Sequence, residues 1–462
     1  LNTHDSWKSA LHDTLREKPE TVIQFEDTTI PAATIWAGCR VWIDCFRSLE
    51  LSQHGRIGLC LEESPAFVQV LLACIWDQHT VFLIHPSRYQ PSLAETLDLN
   101  LIIHNHPGDY CLSPTSNNTP DTSTFKRVRP CNRHECHDAS IFVQSSGTSH
   151  APKWVGLSLE GIGAVINSHL QHLQWSKPVL LSHLPWTHAF GLVLDLFMNL
   201  FTEAVIYRCN SLFNDLETTI GMAIDNHVTH LCTVPIVIQK LSEIESGREL
   251  LNQLEDGIVG GAPISSPVAE TLKHTRLRVG YGLTEASPGI ALGERGEIQP
   301  CGLGRPLGCD IKIDENQQLW FQGPNKFCGV WGESSYKPAD EGWYPTGDLV
   351  NRSPDGSMTL LGRTDDRFKL SNGKWIDPLP IEERLIREFP HLSRIAILPN
   401  ANHLSFDLYY APHDAEIKKT DIVAELGSLG RFLENIYPLK VSSWPQSPKG
   451  TTRRRVLEKI QI

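Results

Sequence analysis

A long hydrophobic run, a cysteine framework and an excess of positive charge are all missing from this sequence. Its longest apolar stretch, residues 67–76, is about half of the ~20 residues that a membrane-spanning helix needs, and its polar N-terminal segment lacks the apolar core of a secretion signal. None of its twelve cysteines forms a C-x-x-C pair, which is typical of a protein whose cysteines stay reduced. A net charge of −12 disfavours a general nucleic-acid-binding or anionic-membrane surface. We therefore expect a cytoplasmic protein with no nucleic-acid or membrane partner.

The residues that are present are typical of a large folded chain. The 462 residues are 40% hydrophobic and 20% charged, which supplies a sizeable core and predicts two or three domains. In residues 1–110, and again from residue 139, helix-like and β-rich segments alternate, as they do in βαβ units around parallel sheets. Between these parts, residues 112–125 are rich in Ser, Thr, Asn and Pro and predict a surface loop. From residue 299 to 361, short strands separated by turns predict a small antiparallel region.

The first of three motifs that carry candidate chemistry follows an apolar strand. Residues 144–155 have the sequence Q-S-S-G-T-S-H-A-P-K-W-V. Small hydroxylated residues around a glycine offer backbone N–H groups and hydroxyls to phosphate oxygens, and Lys153 adds a positive charge. The pattern is not the Walker sequence G-x-x-x-x-G-K-[ST]. A Ser/Thr-rich turn before a helix is the alternative interpretation.

The second motif combines G-G-A-P at residues 260–263 with Y-G-L-T-E at residues 281–285. A glycine pair lets another group approach the backbone, and an aromatic ring can stack on a base. A Thr–Glu pair offers a hydroxyl to phosphate and a carboxylate to Mg²⁺. Two tight turns would explain the same residues.

The third motif is W-Y-P-T-G-D-L at residues 343–349, followed by G-R-T-D-D at residues 362–366. Asp348 offers a carboxylate that can accept two hydrogen bonds from a ribose diol, and Arg363 can donate to the same sugar. A hairpin with a surface ion pair is the alternative.

The order of these motifs decides between the alternatives. S-S-G-T-S-x-x-P-K is followed by G-G-A-P, Y-G-L-T-E, G-R-P-L-G, Y-P-T-G-D-L and G-R-T-D-D, and then by a lysine-containing C-terminal segment. This series resembles the signature of the adenylate-forming superfamily, which includes acyl- and aryl-CoA ligases, carrier-protein ligases, adenylation domains of nonribosomal peptide synthetases and luciferases. The resemblance covers roughly residues 20–458.

The resemblance implies a fold and an activity. The fold is a large α/β N-terminal domain, residues 1–363, with parallel sheets and a small antiparallel β region, joined to a small mobile α+β C-terminal domain, residues 364–462. The activity is that of a ligase which uses ATP and Mg²⁺ to convert a carboxylic acid to an acyl- or aryl-adenylate. The acyl group then passes to a thiol, that of CoA or of the phosphopantetheine of a carrier protein.

Carried over position by position, the resemblance also implies site residues. The loop over the phosphates would be Ser145, Ser146, Gly147, Thr148, Ser149 and Lys153, and the adenine site would be Gly261, Ala262, Pro263, Tyr281 and Gly282. Thr284 would contact the α-phosphate, Glu285 would bind Mg²⁺, and Asp348 and Arg363 would hold the ribose. Asp365 falls at the hinge about which the C-terminal domain turns between the two reactions. The loop at residues 369–375 would then face the acyl-adenylate.

The C-terminal catalytic residue is the main departure from the family pattern. Members usually end with a segment like P-K-T-x-x-G-K, whereas residues 447–455 are S-P-K-G-T-T-R-R-R. If P-K is the anchor, the catalytic position is Arg454, although arginine does not simply replace the compact charge of lysine. If K-G-T is the anchor, as in some fungal adenylating reductases whose S-x-G-[EK] loop resembles residues 371–374, the residue is Lys449. We prefer Lys449; a basic solvated tail is the remaining alternative.

The type of acid is indicated by L-P-W-T-H-A-F-G at residues 184–191, which resembles the P-x-x-H-x-x-G segment of acyl- and aryl-CoA ligases. Amino-acid-activating domains carry an aspartate there, whereas residues 183–193 contain no acidic residue. An apolar or aromatic acid therefore fits better than an α-amino acid. The substrate site would contain His188, Phe190, Gly191, Gly260 and Gly282. His188 would flank or gate the acyl group; a histidine satisfied at the domain surface is the alternative.

Two other functions remain open at this point. One is adenylation with a non-thiol acceptor such as an amine, or of an unusual acid such as nitrite. The other is a degenerate nucleotide-binding protein with a regulatory role, against which the joint retention of Lys153, Glu285, Asp348 and Arg363 argues. The segment C-N-R-H-E-C-H at residues 131–137 matches no zinc framework. The segment H-L-Q-H at residues 169–172 is interpreted as one structural face of a helix.

Overall fold

The computed structural model describes most of the chain, in fourteen ranges. These are residues 4–17, 21–25, 28–51, 54–105, 111–114, 119–121, 139–145, 153–209, 215–332, 335–400, 403–412, 414–415, 417–447 and 450–459. Residues 146–152 of the predicted phosphate loop, the segment at residues 131–137 and Lys449 lie outside these ranges. No helix within them is both long enough and apolar enough to cross a bilayer.

The described residues form helices in every part of the chain, from residue 4 to residue 457. They are α1 (His4–Glu17), α2 (Ala32–Ser48), α3 (Pro65–Trp76), α4 (Leu93–Thr96), α5 (Leu159–Leu173), α6 (Met198–Leu200), α7 (Leu216–Asp225), α8 (Pro235–Glu243), α9 (Glu245–Gln253), α10 (Ser266–Lys273), α11 (Pro378–Glu388), α12 (Lys419–Leu426) and α13 (Arg454–Leu457). A π-helical turn, Gly191–Phe197, directly precedes α6. The predicted helix after His188 is therefore present, but its first part is wound more loosely than an α-helix.

The strands of the described residues are short. They are β1 (Val22–Phe25), β2 (Thr28–Pro31), β3 (Arg56–Cys60), β4 (Thr80–Leu83), β5 (Leu101–His104), β6 (Cys111–Pro114), β7 (Pro120–Asp121), β8 (Ile141–Ser145), β9 (Lys153–Leu157), β10 (Val179–Ser182), β11 (Val205–Arg208), β12 (His230–Leu231), β13 (Ile258–Val259), β14 (Arg278–Tyr281), β15 (Ala291–Leu292), β16 (Gly302–Pro306), β17 (Asp310–Ile313), β18 (Gln318–Gln322), β19 (Gly329–Trp331), β20 (Tyr336–Pro338), β21 (Tyr344–Arg352), β22 (Met358–Arg363), β23 (Phe368–Lys369), β24 (Trp375–Ile376), β25 (Arg394–Pro399), β26 (Phe406–Ala411) and β27 (Leu433–Pro438).

Two sheets have parallel centres, as the alternating pattern predicts. The larger has the order β20-β19-β9-β8-β4-β3-β5-β6-β7, with parallel pairing from β8 through β6. The smaller has the order β12-β10-β11-β1-β2, with parallel pairing from β12 through β1. Helix α3 begins at the N-cap Ser64 and is buried on every side, which is the pattern of a helix enclosed by other elements.

The third large sheet contains the predicted antiparallel region. Its order is β13-β14-β15-β16-β22-β21-β18-β17, and every pairing from β14 to β17 is antiparallel. This sheet carries the second and third sequence motifs, because β14 ends in Tyr281 and the β21–β22 hairpin contains Asp348 and Arg363.

The prediction of a loop over residues 112–125 is wrong for the described part of that segment. Strand β6 adds to the edge of the nine-stranded sheet through β5, and β7 pairs with β6 in antiparallel register. The sequence pattern did not predict β6 and β7, because these strands are defined by backbone hydrogen bonds to an existing sheet edge and not by apolar alternation.

The buried apolar side chains form separate cores. The largest cluster draws its buried members from Trp7 to Phe327 and fills the two parallel sheets and their helices. Two other clusters, with buried members from Phe368 to Leu433 and from Ala396 to Leu457, contain only residues that follow β22. They surround the three-stranded sheet β25-β26-β27 with α11 and α12. The last hundred residues thus carry their own hydrophobic core.

Candidate active site

The β21–β22 hairpin holds the most polar part of the site. Asp348 and Arg363 are register partners across the two strands, and Arg363 Nη1 donates to Asp348 Oδ1 at 2.8 Å. Gly347 has φ +76°, and a Cβ there would lie 3.0 Å from the Arg363 guanidinium. Glycine at this position therefore accommodates both the left-handed backbone and the arginine beside it.

Tyr281 joins the same carboxylate from the end of β14. Its hydroxyl donates to Asp348 Oδ2 at 2.6 Å, so both oxygens of Asp348 are engaged. Burial raises the pKa of Asp348 although Arg363 opposes the shift, and burial together with Asp348 raises the pKa of Tyr281 well above its ordinary value. The phenol accordingly stays protonated and acts as a donor.

Glu285 lies in the turn Thr284–Ala286 that follows β14, near the same charges. Burial raises the pKa of Glu285, and the positive charges of Arg363 and Lys153 lower it in part. Glu285 also contributes to raising the pKa of Tyr344 to about 12, after burial as the main cause. These shifts indicate that Lys153, Glu285, Tyr344 and Arg363 lie within electrostatic range of one another.

The ends of the predicted phosphate loop are adjacent. Ser145 ends β8, Lys153 begins β9, and the two residues are antiparallel register partners. The segment between them is thus closed by a β-hairpin whose two ends are fixed in the nine-stranded sheet. Lys153 is exposed.

The carboxylate of Glu285 fits a magnesium ion that is shared with phosphate oxygens. It is half-buried and makes no ion pair with any described residue. No group of three His, Cys, Asp or Glu side chains able to hold a metal occurs among the described residues. Mg²⁺ commonly takes only one or two protein carboxylates and completes its shell with phosphates and water, so a single glutamate suffices.

One cleft is lined both by Tyr281 and Thr284 and by residues of the predicted acid segment. Its lining is Gln144, His169, His188, Ala189, Phe190, Leu194, Ile258, Gly260, Gly261, Gly280, Tyr281, Gly282, Leu283, Thr284, Pro288, Gly289 and Ala291. The cleft therefore brings together predicted residues from the glycine pair, from the Y-G-L-T-E segment and from the segment around His188.

Gly282 is required by the shape of this cleft. A Cβ at that position would lie 1.4 Å from the carbonyl oxygen of Pro288, because the chain doubles back between the two residues. The close approach lets Thr284 and Pro288 line one wall together.

A buried group of charged side chains contacts residues 184–186 of the predicted acid segment. The backbone N–H of Trp186 donates to Glu63 Oε1 at 3.1 Å, and its indole N–H donates to Asp195 Oδ2 at 3.3 Å. Arg208 donates to the carbonyl of Leu184 at 2.8 Å, and its guanidinium lies 4.6 Å from the centre of the Trp186 ring. Arg208 also lies 3.6 Å from Glu63 and 3.9 Å from Asp195. The backbone just before His188 is consequently fixed on three sides.

Several predicted residues lie apart from the cleft. Ala262, Pro263 and Gly191 do not line it, and Asp365 is exposed in the turn between β22 and β23. Arg454 lies within the C-terminal core, where its Nη1 and Nη2 donate to the two oxygens of Glu382 at 2.7 Å each. It also lies 3.5 Å from Asp366. The guanidinium of Arg454 is thus already occupied by carboxylates of its own region.

Sequence reasoning missed two parts of the site. It assigned His169 to structure, yet the ring lines the cleft beside His188. It assigned no role to Glu63, Asp195 or Arg208, which support the acid segment. The weak signal in the sequence was the presence of Asp and Arg inside apolar stretches, since such charges are almost always paired when buried.

Comparison with known proteins extends these observations. Residues 14–331 match the AMP-binding enzyme family. An anthranilate–CoA ligase of Pseudomonas aeruginosa is 25% identical over 399 residues, which cover 76% of this chain and 74% of that protein. The acyl-CoA ligase SID4 of Ajellomyces capsulatus is 30% identical over 321 residues, which cover 60% of this chain and 53% of that protein. The chain thus spans about half the length of the second relative.

Solved structures resemble the chain over nearly its whole length. ATP-bound MatB from Rhodopseudomonas palustris has a TM-score of 0.79 and 17% identity, with 97% of this chain and 98% of that chain covered. O-succinylbenzoate coenzyme A synthetase from Bacillus subtilis, in complex with ATP and magnesium, has a TM-score of 0.76 and 18% identity, with 97% and 99% covered. At such identities the likeness is one of fold, and it confirms the predicted fold class.

Proposed function

The chain belongs to the AMP-binding enzyme family, and on that premise we propose that it is an AMP-forming acid–CoA ligase. It converts an apolar or aromatic carboxylic acid to an acyl- or aryl-adenylate with ATP and Mg²⁺, and then forms a thioester with CoA. The named activities of the relatives, an anthranilate–CoA ligase and an acyl-CoA ligase, support this proposal.

One observation carries the proposal most directly. A single cleft is lined by Tyr281, Thr284 and His188, and Tyr281 donates to Asp348, which is paired with Arg363. A nucleotide and a small acid bound in that order would bring the carboxylate to the α-phosphate. Fixing two reactants in this way removes a large part of the entropic barrier to their reaction.

The first step joins two anions, so positive charge should dominate its catalysis. The substrate carboxylate oxygen attacks the α-phosphorus, the bond to the bridging oxygen breaks, and pyrophosphate leaves with the bonding electron pair. Lys153 and the hydroxyls at residues 145–149 would donate to the phosphates, and Thr284 would donate to the α-phosphate. Mg²⁺, held by Glu285, would neutralise part of the phosphate charge. Asp348 and Arg363 would orient the ribose, and Gly261 with Tyr281 would border the adenine.

The second step exchanges AMP for sulfur. The thiol loses its proton, the sulfur attacks the acyl carbonyl, and AMP leaves with the electrons of the acyl–oxygen bond.

We place the boundary of the moving region at residue 363, with Asp365 as hinge. The separate C-terminal core and the exposure of Asp365 support that boundary. In the present arrangement, Glu383 of α11 accepts hydrogen bonds from Ser266 of α10 at 2.9 and 3.1 Å. This contact would break when the C-terminal region turns.

The proposed acceptor is CoA because of an exposed group of aromatic and basic side chains in the C-terminal region. Trp375 is 53% exposed, and the cationic groups of Arg367 and Lys369 lie 5.6 Å from its ring centre. Lys374 lies 5.9 Å from the ring of Phe432. Cations beside an exposed ring suit the phosphates and adenine of CoA. A carrier protein would instead favour an apolar docking patch.

The proposed acid lacks an ammonium group. None of the described residues that line the cleft is acidic, and the nearby Asp195 is engaged by Ser182, Trp186 and Arg208. An amino-acid substrate would leave its positive charge unpaired beside Phe190 and Leu194, which is costly in an apolar pocket.

The test is acid-dependent exchange of labelled pyrophosphate into ATP with benzoic, cinnamic, fatty and amino acids, followed by thioester formation with CoA. We expect exchange with aromatic or apolar acids and no exchange with α-amino acids. Asp348→Asn, which keeps the shape but removes the charge, should reduce exchange through a higher KM for ATP. Absence of exchange with every acid would overturn the proposed activity, and exchange without any thioester would overturn only the acceptor.

A further inference from the structure

His169 is a buried histidine that the proposed chemistry does not use. It lies in the last turns of α5 (Leu159–Leu173), which begins at the N-cap Ser158 and ends at Gln174. The residue is 2% exposed, yet its ring lines the cleft together with His188, Phe190 and Leu194. A histidine in such a place is either a satisfied core residue or a group that meets the ligand.

The hydrogen bonds of the ring decide its tautomer. Nδ1 lies 2.8 Å from the carbonyl oxygen of Val165, one helical turn earlier. Because a carbonyl oxygen can only accept, Nδ1 must carry the hydrogen, and a neutral ring then has its lone pair on Nε2. Burial lowers the pKa of His169 to about 4, so the ring is neutral near pH 7. Nε2 has no hydrogen-bond partner among the described residues.

The surroundings of the ring leave the lone pair on Nε2 open toward the cleft. A Cβ at Gly289, which lines the same cleft, would lie 2.7 Å from Cε1 and 3.5 Å from Nε2 of His169. Glycine at residue 289 therefore leaves the Cε1–Nε2 edge of the ring open toward the cleft wall. The side chains of Leu194, Ile258, Pro288 and Ala291, which line the same cleft, offer no donor. An acceptor left without a donor in an apolar pocket costs free energy, and a ligand that supplies the donor recovers it.

We propose that His169 is a specificity-determining residue that accepts a hydrogen bond from a hydroxyl or amino group on the acid. The preferred substrate is thus an otherwise apolar or aromatic acid with one neutral donor group, and its unsubstituted analogue is discriminated against. This inference rests on the proposed function. A site built to bind such a group rejects the analogue that lacks it more strongly than an apolar pocket rejects an extra methylene.

The test measures the ratio of kcat/KM for paired acids in pyrophosphate exchange with the full chain. The pairs are benzoate with its hydroxy- and aminobenzoates, cinnamate with its hydroxycinnamates, and hexanoate with ω-hydroxyhexanoate. For the best pair, we expect the donor-bearing acid to be favoured by about 10- to 100-fold. His169→Phe, which keeps an aromatic ring but removes the acceptor, should abolish most of this ratio. His169→Gln, whose side-chain oxygen can accept, should keep more of it than His169→Phe.

His172→Phe is the matched control. His172 lies one turn later on the same helix, 3.2 Å from Glu294 and outside the lining of the cleft, so the ratio should not change. If exchange occurs but the two members of every pair react equally, or if His169→Phe keeps the wild-type ratio, the role of His169 is overturned while the ligase activity stands. Absence of exchange with every acid would overturn both. A His169→Phe protein that fails to fold would leave His169→Gln and the wild-type ratios to decide.

Discussion

Two arginine–carboxylate pairs in this molecule have the same chemistry and opposite surroundings. At the cleft, Arg363 contacts Asp348 while 44% of its side chain stays exposed. In the C-terminal core, Arg454 holds both oxygens of Glu382, and its side chain is 13% exposed. Arg363 retains donors that can reach a ligand, whereas Arg454 is bound to Glu382, to Asp366 and to the carbonyl of Ile397.

The difference shows why a motif alignment alone cannot assign the C-terminal catalytic residue. Arg454 and Lys449 are both basic residues within the same irregular motif. Burial and existing partners favour a structural role for Arg454, because releasing it would strand the buried carboxylate of Glu382. Glu382 also accepts from the backbone N–H of Ile397 at 2.7 Å, so Arg454 ties α11 to β25. We therefore keep Lys449 as the proposed catalytic residue.

Arg454→Met should have the largest effect on stability, since it leaves Glu382 buried without its cation. We expect the C-terminal region to lose about 3–5 kcal/mol of unfolding free energy. Urea unfolding of the full chain, followed by tryptophan fluorescence, measures the loss. The double variant Glu382→Gln/Arg454→Met should recover much of it, because both charges are then gone. Native stability of Arg454→Met combined with lost adenylation would make Arg454 catalytic after all.

Lys449→Ala should have the largest effect on catalysis without a matching loss of stability. We expect pyrophosphate exchange to fall by about 10²- to 10³-fold, which is typical when one stabilising donor is removed from a charged transition state. The kcat of exchange and the unfolding midpoint should be measured on the same preparation. Lys459→Ala is the control, because it removes a nearby lysine outside the motif. Equal activity of Lys449→Ala and wild type would return the assignment to Arg454.

Arg363→Met should show the reverse pattern to Arg454→Met. Because the Asp348 carboxylate is buried but keeps its bond from Tyr281, and Arg363 itself is 44% exposed, we expect a loss of about 1–3 kcal/mol of unfolding free energy, smaller than that of Arg454→Met. The loss of a charged donor to the nucleotide should raise the KM for ATP by about 10- to 100-fold. Exchange measured at varied ATP and constant acid checks this. A large fall in unfolding midpoint with an unchanged KM would show that exposure does not separate the two pairs.

Asp195 and Arg208 form a third arginine–carboxylate pair, and its contribution to stability should depend on pH. Burial raises the pKa of Asp195 from 3.8 to about 7, although Arg208 opposes the shift. Between about pH 4 and 7 the folded protein therefore holds a proton that the unfolded chain releases. Stability from this group is present at low pH and is lost as pH rises through 7, by up to about 1.4 kcal/mol per pH unit.

Asp195→Asn should remove that part of the pH dependence, because an amide does not titrate. The difference in Tm between wild type and variant, measured from pH 4.5 to 8, should change in favour of the variant as pH rises. A constant difference across this range would show that Asp195 is charged throughout, in a pair with Arg208.

The order of the motifs in the sequence predicted the fold class and most of the residues at the nucleotide end of the cleft. The strand–turn–strand pattern that contains Asp348 and Arg363 is local, so a motif predicts their proximity, and the register of β21 with β22 delivers it. Tyr281 joins Asp348 from 67 residues away, because β14 lies in the same sheet. The motif identified Tyr281 as a site residue, but its hydrogen bond to Asp348 could be predicted only with knowledge of the strand order in the sheet.

The acid end of the cleft was much less accessible to such reasoning. Glu63 reaches Trp186 across 123 residues, and no local pattern joins them. The absence of acidic residues at 183–193 was informative, yet Asp195 lies just beyond and faces the buried arginine. His169 looked like a core residue because its neighbour Gly289 and the cleft that it faces are brought to it by contacts between distant segments.

The π-helical turn at Gly191–Phe197 gives the acid end a property that side chains alone do not provide. A π turn accommodates about one residue more than an α turn. Deleting one residue there would restore α-helical winding and leave the flanking helix near its present orientation, because a π turn holds its extra residue without rotating the helix beyond it. A change of a single codon in length, with no substitution, would therefore narrow the turn that places Leu194 in the cleft lining while keeping the helix that follows it in place.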